Sequence, residues 1–201
     1  MPAFETAPAL LILSGILGYL FGSIPFGIVV TRAMGLGDLR KVGSGNIGAT
    51  NVLRTGSKPA ALLTLILDAG KGAAAVLAAR WLVGPDAAQL AGLAAFAGHC
   101  FPIWLRMKGG KGVATFLGTV LALAWPVGLA ACATWLAAAL LGRISSAAAL
   151  AAAALAPVWA VLLGRGELTL MLVLMGALIW TRHAPNIARL RAGTEPRIGA
   201  K

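Results

Sequence analysis

The stretch GSGNIGATNVLRTG, residues 43–56, concentrates hydrogen-bonding groups in a chain that is otherwise rich in alanine, leucine and valine. Its fourteen positions hold four glycines, two asparagines, two threonines, Ser44 and Arg54. So many polar groups cannot lie in a hydrophobic core or in lipid without losing hydrogen-bond partners. Glycines also let backbone N–H groups approach an anion closely, and an arginine supplies the compensating charge. We therefore predict a polar loop that can bind an anion.

A second glycine-rich stretch, MKGGKG at 107–112, has the same chemical character. Its glycines surround Lys111 just before an apolar segment that begins near Val113, so a bound anion would lie at the start of a helix. The stretch is not a P-loop, because Gly112 stands where a magnesium-binding serine or threonine would follow the lysine. The pattern predicts a phosphate that is bound without nucleotide machinery.

The third polar stretch, RHAPNIARLRAGTE at 182–195, combines His183 and Asn186 with several arginines. Each stretch alone has an ordinary explanation: a glycine-rich turn, a loop whose charge orients the protein in the membrane, or a basic tail on anionic lipid. All three nevertheless combine glycines or asparagines with fixed cations, which favours a shared role. His99 is expected to be structural, and two histidines without clustered Cys, Asp or Glu argue against a zinc site.

Asp68 and Lys71 lie three residues apart inside an apolar segment, on one face of the predicted helix. Ionisable residues inside a membrane are costly, and they are usually functional or paired. Two interpretations stay open for this pair: a functional role, or a mutual salt bridge that only pins helices together.

Two classes of lipid enzyme are disfavoured by what the sequence lacks. Phosphotransferases that use nucleotide-activated lipids need clustered aspartates for magnesium, but only Asp38 and Asp68 lie near the polar stretches. Neither histidine is followed five residues later by aspartate, because Trp104 and Ala188 stand there. The His–Asp motif of the common glycerolipid acyltransferases is therefore absent.

The elements that must position these stretches are membrane helices. The chain has 201 residues, of which 59% are hydrophobic and 11% charged, with a mean hydropathy of +0.88. A soluble domain has roughly 25% charged residues, so we predict an all-α integral membrane protein with one domain over residues 1–201. The first apolar run has no Lys or Arg before it, which predicts a retained helix and not a cleaved signal peptide. Six or seven apolar segments follow one another, at 9–31, 59–83, 87–105, 113–125, 127–142, 145–163 and 167–182.

The basic residues predict the orientation. With seven crossings and a periplasmic N-terminus, fourteen basic residues face the cytoplasm and two face the periplasm. The fourteen are Arg32, Arg40, Lys41, Arg54, Lys58, Arg106, Lys108, Lys111, Arg143, Arg182, Arg189, Arg191, Arg197 and Lys201, and the two are Arg80 and Arg165. Merging the fourth and fifth segments would move Arg143 and the C-terminal basic group to the periplasm, so we reject that merger. The net charge of +11 is thus explained by topology and does not indicate nucleic acid.

Small residues predict one close helix contact. Ser14, Gly18 and Gly22 are spaced four apart, which places them on one helix face where another backbone can approach.

Five motifs together resemble the bacterial PlsY family, the acyl-phosphate-dependent glycerol-3-phosphate acyltransferases of the inner membrane. They are GSIPFG (22–27), GSGNIGATNVLRTG (43–56), DAGKG (68–72), GHCFPIWLRMKGGKGVAT (98–115) and HAPNIARLRAGTE (183–195), in the family's order and spacing. One departure is Met107, where an aromatic residue is expected. The resemblance implies seven transmembrane helices with a periplasmic N-terminus, a cytoplasmic C-terminus and a cytoplasmic active site. It implies acyl phosphate and glycerol 3-phosphate as substrates in phospholipid biosynthesis, with no metal or cofactor, contact with membrane lipid, and functional coupling to the enzyme that forms acyl phosphate.

The resemblance also implies the site residues. The catalytic set is Ser44, Arg54, Lys111, His183 and Asn186. The substrate-binding set is Gly43, Gly45, Asn46, Thr50, Asn51, Lys108, Gly109, Gly110 and Gly112. Arg54 and the two lysines are expected to clamp phosphates, while backbone N–H groups or Asn186 stabilise the oxyanion. The general base is left open between His183 and the phosphate of the substrate.

Two other functions compete with this interpretation. A transporter or flippase for an anionic lipid would be expected to show internal repeats and polar groups near the membrane midplane. A structural subunit that binds anionic lipid would explain the basic tail but not Asn46, Asn51 and Asn186.

Overall fold

A computed structural model describes residues 5–199, and within that range every regular element is helical. The α-helices are α1 (Pro8–Gly22), α2 (Phe26–Ala33), α3 (Ala49–Leu53), α4 (Lys58–Leu82), α5 (Pro85–Cys100), α6 (Val113–Leu123), α7 (Trp125–Gly142), α8 (Ser145–Leu162), α9 (Thr169–Arg182) and α10 (Ala184–Arg191). Short 3-10 helices span Leu39–Lys41, Ile103–Leu105 and Gly166–Leu168. The described range does not include the first four residues of the chain. It also does not include Lys201, which the charge count placed in the cytoplasm.

The lengths and composition of these helices suit a bilayer. Five spans are long and apolar enough to cross it: Pro8–Ala33, Lys58–Leu82, Pro85–Leu105, Trp125–Gly142 and Ser145–Leu162. A sixth results if Gly166–Arg182 and Ala184–Arg191, which are bent by 63° to each other, form one span. Helix α6 has 11 residues and corresponds to the short fourth apolar segment. The all-helical class is confirmed, and the count of seven crossings stays a prediction.

The contacts between helices divide the chain into two compact units, one ending at Leu123 and the other beginning at Ala124. The expected single domain therefore stays a prediction, and each unit is described by itself.

In the first unit, α1 packs closely against α5, as the small residues of α1 predicted. Gly18 and Gly22 are buried, and a side chain at either position would overlap the backbone carbonyl of Ala91 or Ala95. Helix α4 lies against both α5 and α6. At its contact with α6, a Cβ atom at Gly72 would lie 2.5 Å from the Thr119 Oγ1 atom. These close approaches hold the helices that carry the glycine-rich loops.

In the second unit, α8 packs against both α7 and α9. Its many alanines bring neighbouring helices near, and Trp159 Nε1 donates a hydrogen bond of 3.0 Å to Thr134 Oγ1 of α7. The C-terminal segment is tied to the turn between α7 and α8, because Ile198 N donates to the Arg143 carbonyl at 2.6 Å. This tie holds the segment that follows α10.

Candidate functional site

The first glycine-rich stretch is not an irregular loop throughout. Its middle folds into the five-residue helix α3, which begins after the extended Gly48 and ends at Leu53, directly before Arg54. Val52 of α3 is fully buried and anchors the stretch in a hydrophobic cluster of the first unit. The sequence pattern missed this helix because a single buried valine among small and polar residues has no visible helical periodicity.

Asn51 organises this stretch through its own side chain. It is 1% exposed, and its amide nitrogen donates to the carbonyls of Leu39 at 3.2 Å and Val42 at 2.9 Å. Its carbonyl oxygen accepts hydrogen bonds from Ser44 N at 3.1 Å and Ser44 Oγ at 3.3 Å. Arg54 Nη1 donates to the same oxygen at 3.4 Å. All of these contacts are to residues of the first unit, and they use both the nitrogen and the oxygen of the Asn51 amide. The substrate-binding role expected of Asn51 stays a prediction.

Ser44 and Arg54 converge on Asn51 and present their functional groups at the surface. Both residues are exposed, as is Gly43 between them in space. Gly43 has a φ of 52°, and a Cβ atom there would lie 2.7 Å from Asn51 Oδ1 and from Arg54 Cδ. Only glycine avoids both this backbone strain and this overlap. Of the other predicted ligands here, Thr50 is exposed, and Gly45 and Asn46 are half-buried.

The same hydrophobic cluster extends to the segment just before the second glycine-rich stretch. Leu39, Ile47 and Val52 belong to its buried part, and Leu105, two residues before Met107, packs against it. The cluster therefore anchors residues 43–56 and contacts the chain where it enters the second stretch.

The second stretch turns sharply and returns along the end of α5. Arg106 and Met107 adopt left-handed backbone angles, with φ of 52° and 64°. Gly109 N then donates to the Cys100 carbonyl at 3.2 Å, and Gly110 N donates to the His99 carbonyl at 3.1 Å. These two amides thus hold the loop on α5, and the substrate-binding role expected of Gly109 and Gly110 stays a prediction.

Glycine is required along this return because α5 is so near. A side chain at Gly109 would overlap the His99 carbonyl, one at Gly110 would overlap the His99 ring, and one at Gly112 would overlap the Phe96 ring. Lys108 is exposed and Lys111 is half-buried. Both cations therefore extend from a backbone that packs closely against α5.

Beneath this loop lies a buried ionic cluster formed by Asp68, Lys71 and His99. Lys71 Nζ lies 2.8 Å from Asp68 Oδ1, with side-chain exposures of 1% and 3%. The mutual salt bridge, one of the two interpretations left open for this pair, is therefore present in the structure. Lys71 Nζ also donates to the Ile24 carbonyl at 2.8 Å and lies 5.6 Å from the centre of the Phe26 ring.

His99 completes this cluster, because its Nδ1 atom lies 3.5 Å from Asp68 Oδ1. The sequence lacks a local His–Asp motif, yet the fold brings a histidine and an aspartate from α5 and α4 together. No local spacing could reveal this contact, since it depends on how the two helices pack.

In the second unit, the Glu195 carboxylate is the shared hydrogen-bond acceptor for polar groups of the third stretch. Its Oε1 atom accepts hydrogen bonds from Asn186 Nδ2 at 2.5 Å and Ser146 Oγ at 2.6 Å, and its Oε2 atom accepts one from Arg189 Nε at 2.7 Å. Desolvation opposes ionisation, but these hydrogen bonds and the Arg189 charge outweigh it and lower the pKa of the Glu195 carboxyl. Sequence reasoning assigned no role to Glu195, although it ends the GTE of the third motif.

His183 lies at the bend between α9 and α10 and is 3% exposed. Its Nδ1 atom is 2.8 Å from the Ile179 carbonyl oxygen, which can only accept a hydrogen bond. Nδ1 therefore carries the hydrogen, and in the neutral ring Nε2 is the basic nitrogen. Within residues 5–199, no group of three or more His, Cys, Asp or Glu side chains is arranged to hold a metal ion.

Comparison with known proteins gives one consistent result. A family model described as glycerol-3-phosphate acyltransferase matches residues 12–193. A Cereibacter sphaeroides protein named glycerol-3-phosphate acyltransferase is 65% identical to this chain, over 100% of this chain and 96% of the relative. A crystal structure of PlsY, an integral membrane glycerol 3-phosphate acyltransferase, in its glycerol 3-phosphate form has a TM-score of 0.88 and 41% identity, covering 94% of this chain and 96% of that one. The lysophosphatidic acid form of PlsY has a TM-score of 0.85 and 37% identity, covering 94% and 95%.

Proposed function

Because this chain belongs to the glycerol-3-phosphate acyltransferase family and is a multi-pass membrane acyltransferase, we propose that its acyl donor is acyl phosphate. The acyl group passes to the sn-1 hydroxyl of glycerol 3-phosphate, giving 1-acyl-glycerol 3-phosphate (lysophosphatidic acid) and inorganic phosphate for phospholipid biosynthesis. The PlsY structures in glycerol 3-phosphate and lysophosphatidic acid forms support this acceptor and this product.

The observation that carries the donor assignment is that the first unit holds two cationic, glycine-rich stretches, one anchored on the hydrophobic cluster through Val52 and the other hydrogen-bonded to the end of α5. Arg54 is on one stretch, and Lys108 and Lys111 are on the other. A reaction between two phosphate-bearing substrates needs charge at two anions, whereas a single phosphate would need only one such loop. Both stretches are compact, which suits small phosphates better than a bulky nucleotide.

In the proposed reaction, the sn-1 hydroxyl oxygen attacks the acyl carbonyl carbon, and the bond from that carbon to the phosphate oxygen breaks. The departing phosphate takes the electron pair of that bond, and Arg54, Lys108 and Lys111 stabilise its growing charge more than they stabilise the ground state. Since the mixed anhydride is already activated, the step uses no metal ion or cofactor.

The hydroxyl proton goes either to the phosphate or to His183. The Nδ1 contact with Ile179 leaves Nε2 as the basic nitrogen of the neutral ring, which supports His183 in accepting a hydrogen bond from the hydroxyl or in contacting phosphate. Asn186 is proposed to stabilise the oxyanion, held in position by Glu195. Ser44 binds substrate directly, while Asn51 acts by ordering the backbone around Ser44 and Arg54.

We propose seven crossings of the bacterial inner membrane, with the N-terminus periplasmic and the C-terminus and active site cytoplasmic. The first apolar segment covers α1 and α2, and each of the other six coincides with one α-helix. The asymmetry of the basic residues supports this orientation. The acyl chain would lie among the helices, and the enzyme that forms acyl phosphate would be a functional partner.

The test uses purified protein in detergent with acyl phosphate and glycerol 3-phosphate. Phosphate release and lysophosphatidic acid are measured together, and the position of the acyl group is determined by NMR. Equal amounts of the two products, acylated at sn-1, are expected. A transporter or a structural lipid-binding subunit would release no phosphate, and that result would contradict the proposal.

A further inference from the structure

We propose that Asp68, Lys71 and His99 form a positioning assembly that sets the path of the 109–112 backbone, and with it the placement of Lys111 on a substrate phosphate. This inference rests on the proposed function of the second glycine-rich stretch as a phosphate site. None of the three residues is placed in contact with substrate. They act through the loop that lies on them.

The contact between the assembly and the loop is at His99. The Gly110 backbone lies directly against the imidazole ring, so that any side chain at this position would overlap Nε2. The backbone of the same residue donates a hydrogen bond to the His99 carbonyl at 3.1 Å. Both the ring and the carbonyl of one residue therefore determine where Gly110 lies, directly before Lys111.

The orientation of the His99 ring is in turn set from α4. Asp68 Oδ1 lies 3.5 Å from Nδ1 and 2.8 Å from Lys71 Nζ, so the carboxylate is the shared partner of the two nitrogen groups. The ring is 4% exposed, and packing leaves it little freedom to turn away. A ring that lies between this buried carboxylate and the Gly110 backbone cannot turn without losing one of the two contacts.

The third contact ties the assembly to the break between α1 and α2. Lys71 Nζ donates to the Ile24 carbonyl, which lies in the break between Gly22 and Phe26. An ion pair that only held helices together would need neither His99 nor a contact with this break. The cluster instead connects α4, α5, the break between α1 and α2, and the loop.

The first experiment compares His99→Gln, Asp68→Asn and Lys111→Ala by steady-state kinetics, with glycerol 3-phosphate and acyl phosphate varied separately. Lys111→Ala shows how the loop contributes to kcat and to each KM. His99→Gln and Asp68→Asn are expected to change the same constants as Lys111→Ala, with kcat taken per folded protein, and to lower kcat/KM by about ten-fold. A loss distributed differently between kcat and the two KM values would show that the cluster does not act through Lys111, and would overturn the proposal.

Asp86→Asn is the matched control, because Asp86 is also a buried carboxylate of the first unit. Its partners are the backbone and hydroxyl of Thr6 and the backbone of Glu5, away from the loop. It is expected to leave kcat and both KM values unchanged. An equal loss of kcat/KM for Asp86→Asn would mean that loss of any buried carboxylate loosens the loop, and would contradict a specific role for Asp68.

A double-mutant cycle tests the contact itself. Gly110→Ala pushes the loop off the ring, and His99→Ala removes the ring. If the two residues act through their contact, the double variant lowers kcat/KM by less than the product of the two single effects. Independent, multiplying effects would contradict positioning through this contact.

Binding of inorganic phosphate to the purified protein separates this inference from the proposed function. His99→Gln is expected to weaken phosphate binding about as much as Lys111→Ala does. If the wild-type protein binds phosphate in this manner but does not turn over acyl phosphate, the proposed donor is wrong and the positioning assembly stands. If His99→Gln binds phosphate as the wild type does, the positioning assembly is wrong whatever the donor.

Discussion

At the residue scale, Arg54 and Lys111 are the fixed cations assigned to substrate phosphate. We expect Arg54→Ala and Lys111→Ala each to lower kcat/KM by about ten-fold or more, since a hydrogen bond to a charged group contributes roughly 1.5–3 kcal/mol. Steady-state kinetics and a thermal unfolding midpoint on the same preparations measure activity and folding separately.

The control is Arg80→Ala, which removes one of the two basic residues assigned to the periplasmic side. Arg80 Nη2 donates to the Leu123 carbonyl at 3.0 Å, so its loss affects α6 and not the glycine-rich stretches. We expect kcat/KM to change by less than about two-fold. Equal losses for Arg80 and Arg54 would indicate that these charges serve only topology.

Glu195 gives a residue-scale prediction for pH. Its pKa is lowered in the folded protein, so its stabilising effect is present above the ordinary pKa of a glutamic acid, roughly 4.3, and is lost as the pH falls through the folded value. Glu195→Gln is therefore expected to be less stable than wild type at neutral pH, by on the order of 2 kcal/mol. Unfolding midpoints measured from pH 7 downward should converge in acid. A difference that stays constant across this range would show that the Glu195 charge does not hold Asn186 and Arg189.

At the element scale, the close packing of α1 on α5 should make Gly22 intolerant of any side chain. A Cβ atom there overlaps the backbone of Ala95, which cannot yield without separating the two helices. We expect Gly22→Ala to cost roughly 1–3 kcal/mol of unfolding free energy. Denaturation in detergent, followed by circular dichroism, measures this loss.

Gly70→Ala in α4 is the matched control, because among the described residues nothing beyond its chain neighbours and the nearby backbone of its own helix lies within 4 Å of the position its Cβ would occupy. Alanine has the higher helix propensity, so this variant should be unchanged or more stable by up to about 1 kcal/mol. Destabilisation of Gly70→Ala as large as that of Gly22→Ala would show that the loss reflects glycine content and not the contact of α1 with α5.

The elements were predictable from sequence where the physical signal is local. Apolar length predicted the membrane helices, and the four-residue spacing of Ser14, Gly18 and Gly22 predicted the face that packs on α5. The loop interior was less predictable, because α3 depends on burial of Val52 in a cluster assembled from distant residues.

The same distinction applies to the site. Residue types and the family resemblance led to the prediction of Ser44, Arg54 and Lys111 as site residues, and their roles stay predictions. They did not reveal that Asn51 and the Gly109 and Gly110 amides bond to their own chain, which depends on the tertiary path of the loops. The contact between His99 and Asp68 also depends on packing of α5 on α4, which no local pattern encodes.

At the scale of the whole molecule, the asymmetry of basic residues predicts that all three polar stretches lie on the cytoplasmic side of the membrane. Single cysteines introduced at Thr55 and Ala192, in a background without Cys100 and Cys132, should resist a membrane-impermeant maleimide added to intact cells. Both should react after the membrane is opened. Labelling of either position from outside intact cells would contradict the cytoplasmic placement of the first and third stretches.

The most direct test of the proposed reaction is a comparison of acyl donors at equal acyl-chain length. An enzyme that uses acyl-CoA must bind a bulky adenine nucleotide, whereas this chain offers compact glycine-rich stretches with Arg54, Lys108 and Lys111. We predict turnover with acyl phosphate, less than about one hundredth of that rate with acyl-CoA or acyl carrier protein, no loss on adding EDTA, and inhibition by inorganic phosphate. Robust turnover with acyl-CoA, in a preparation free of acyl phosphate, would contradict the account and the phosphate-binding roles assigned to these residues.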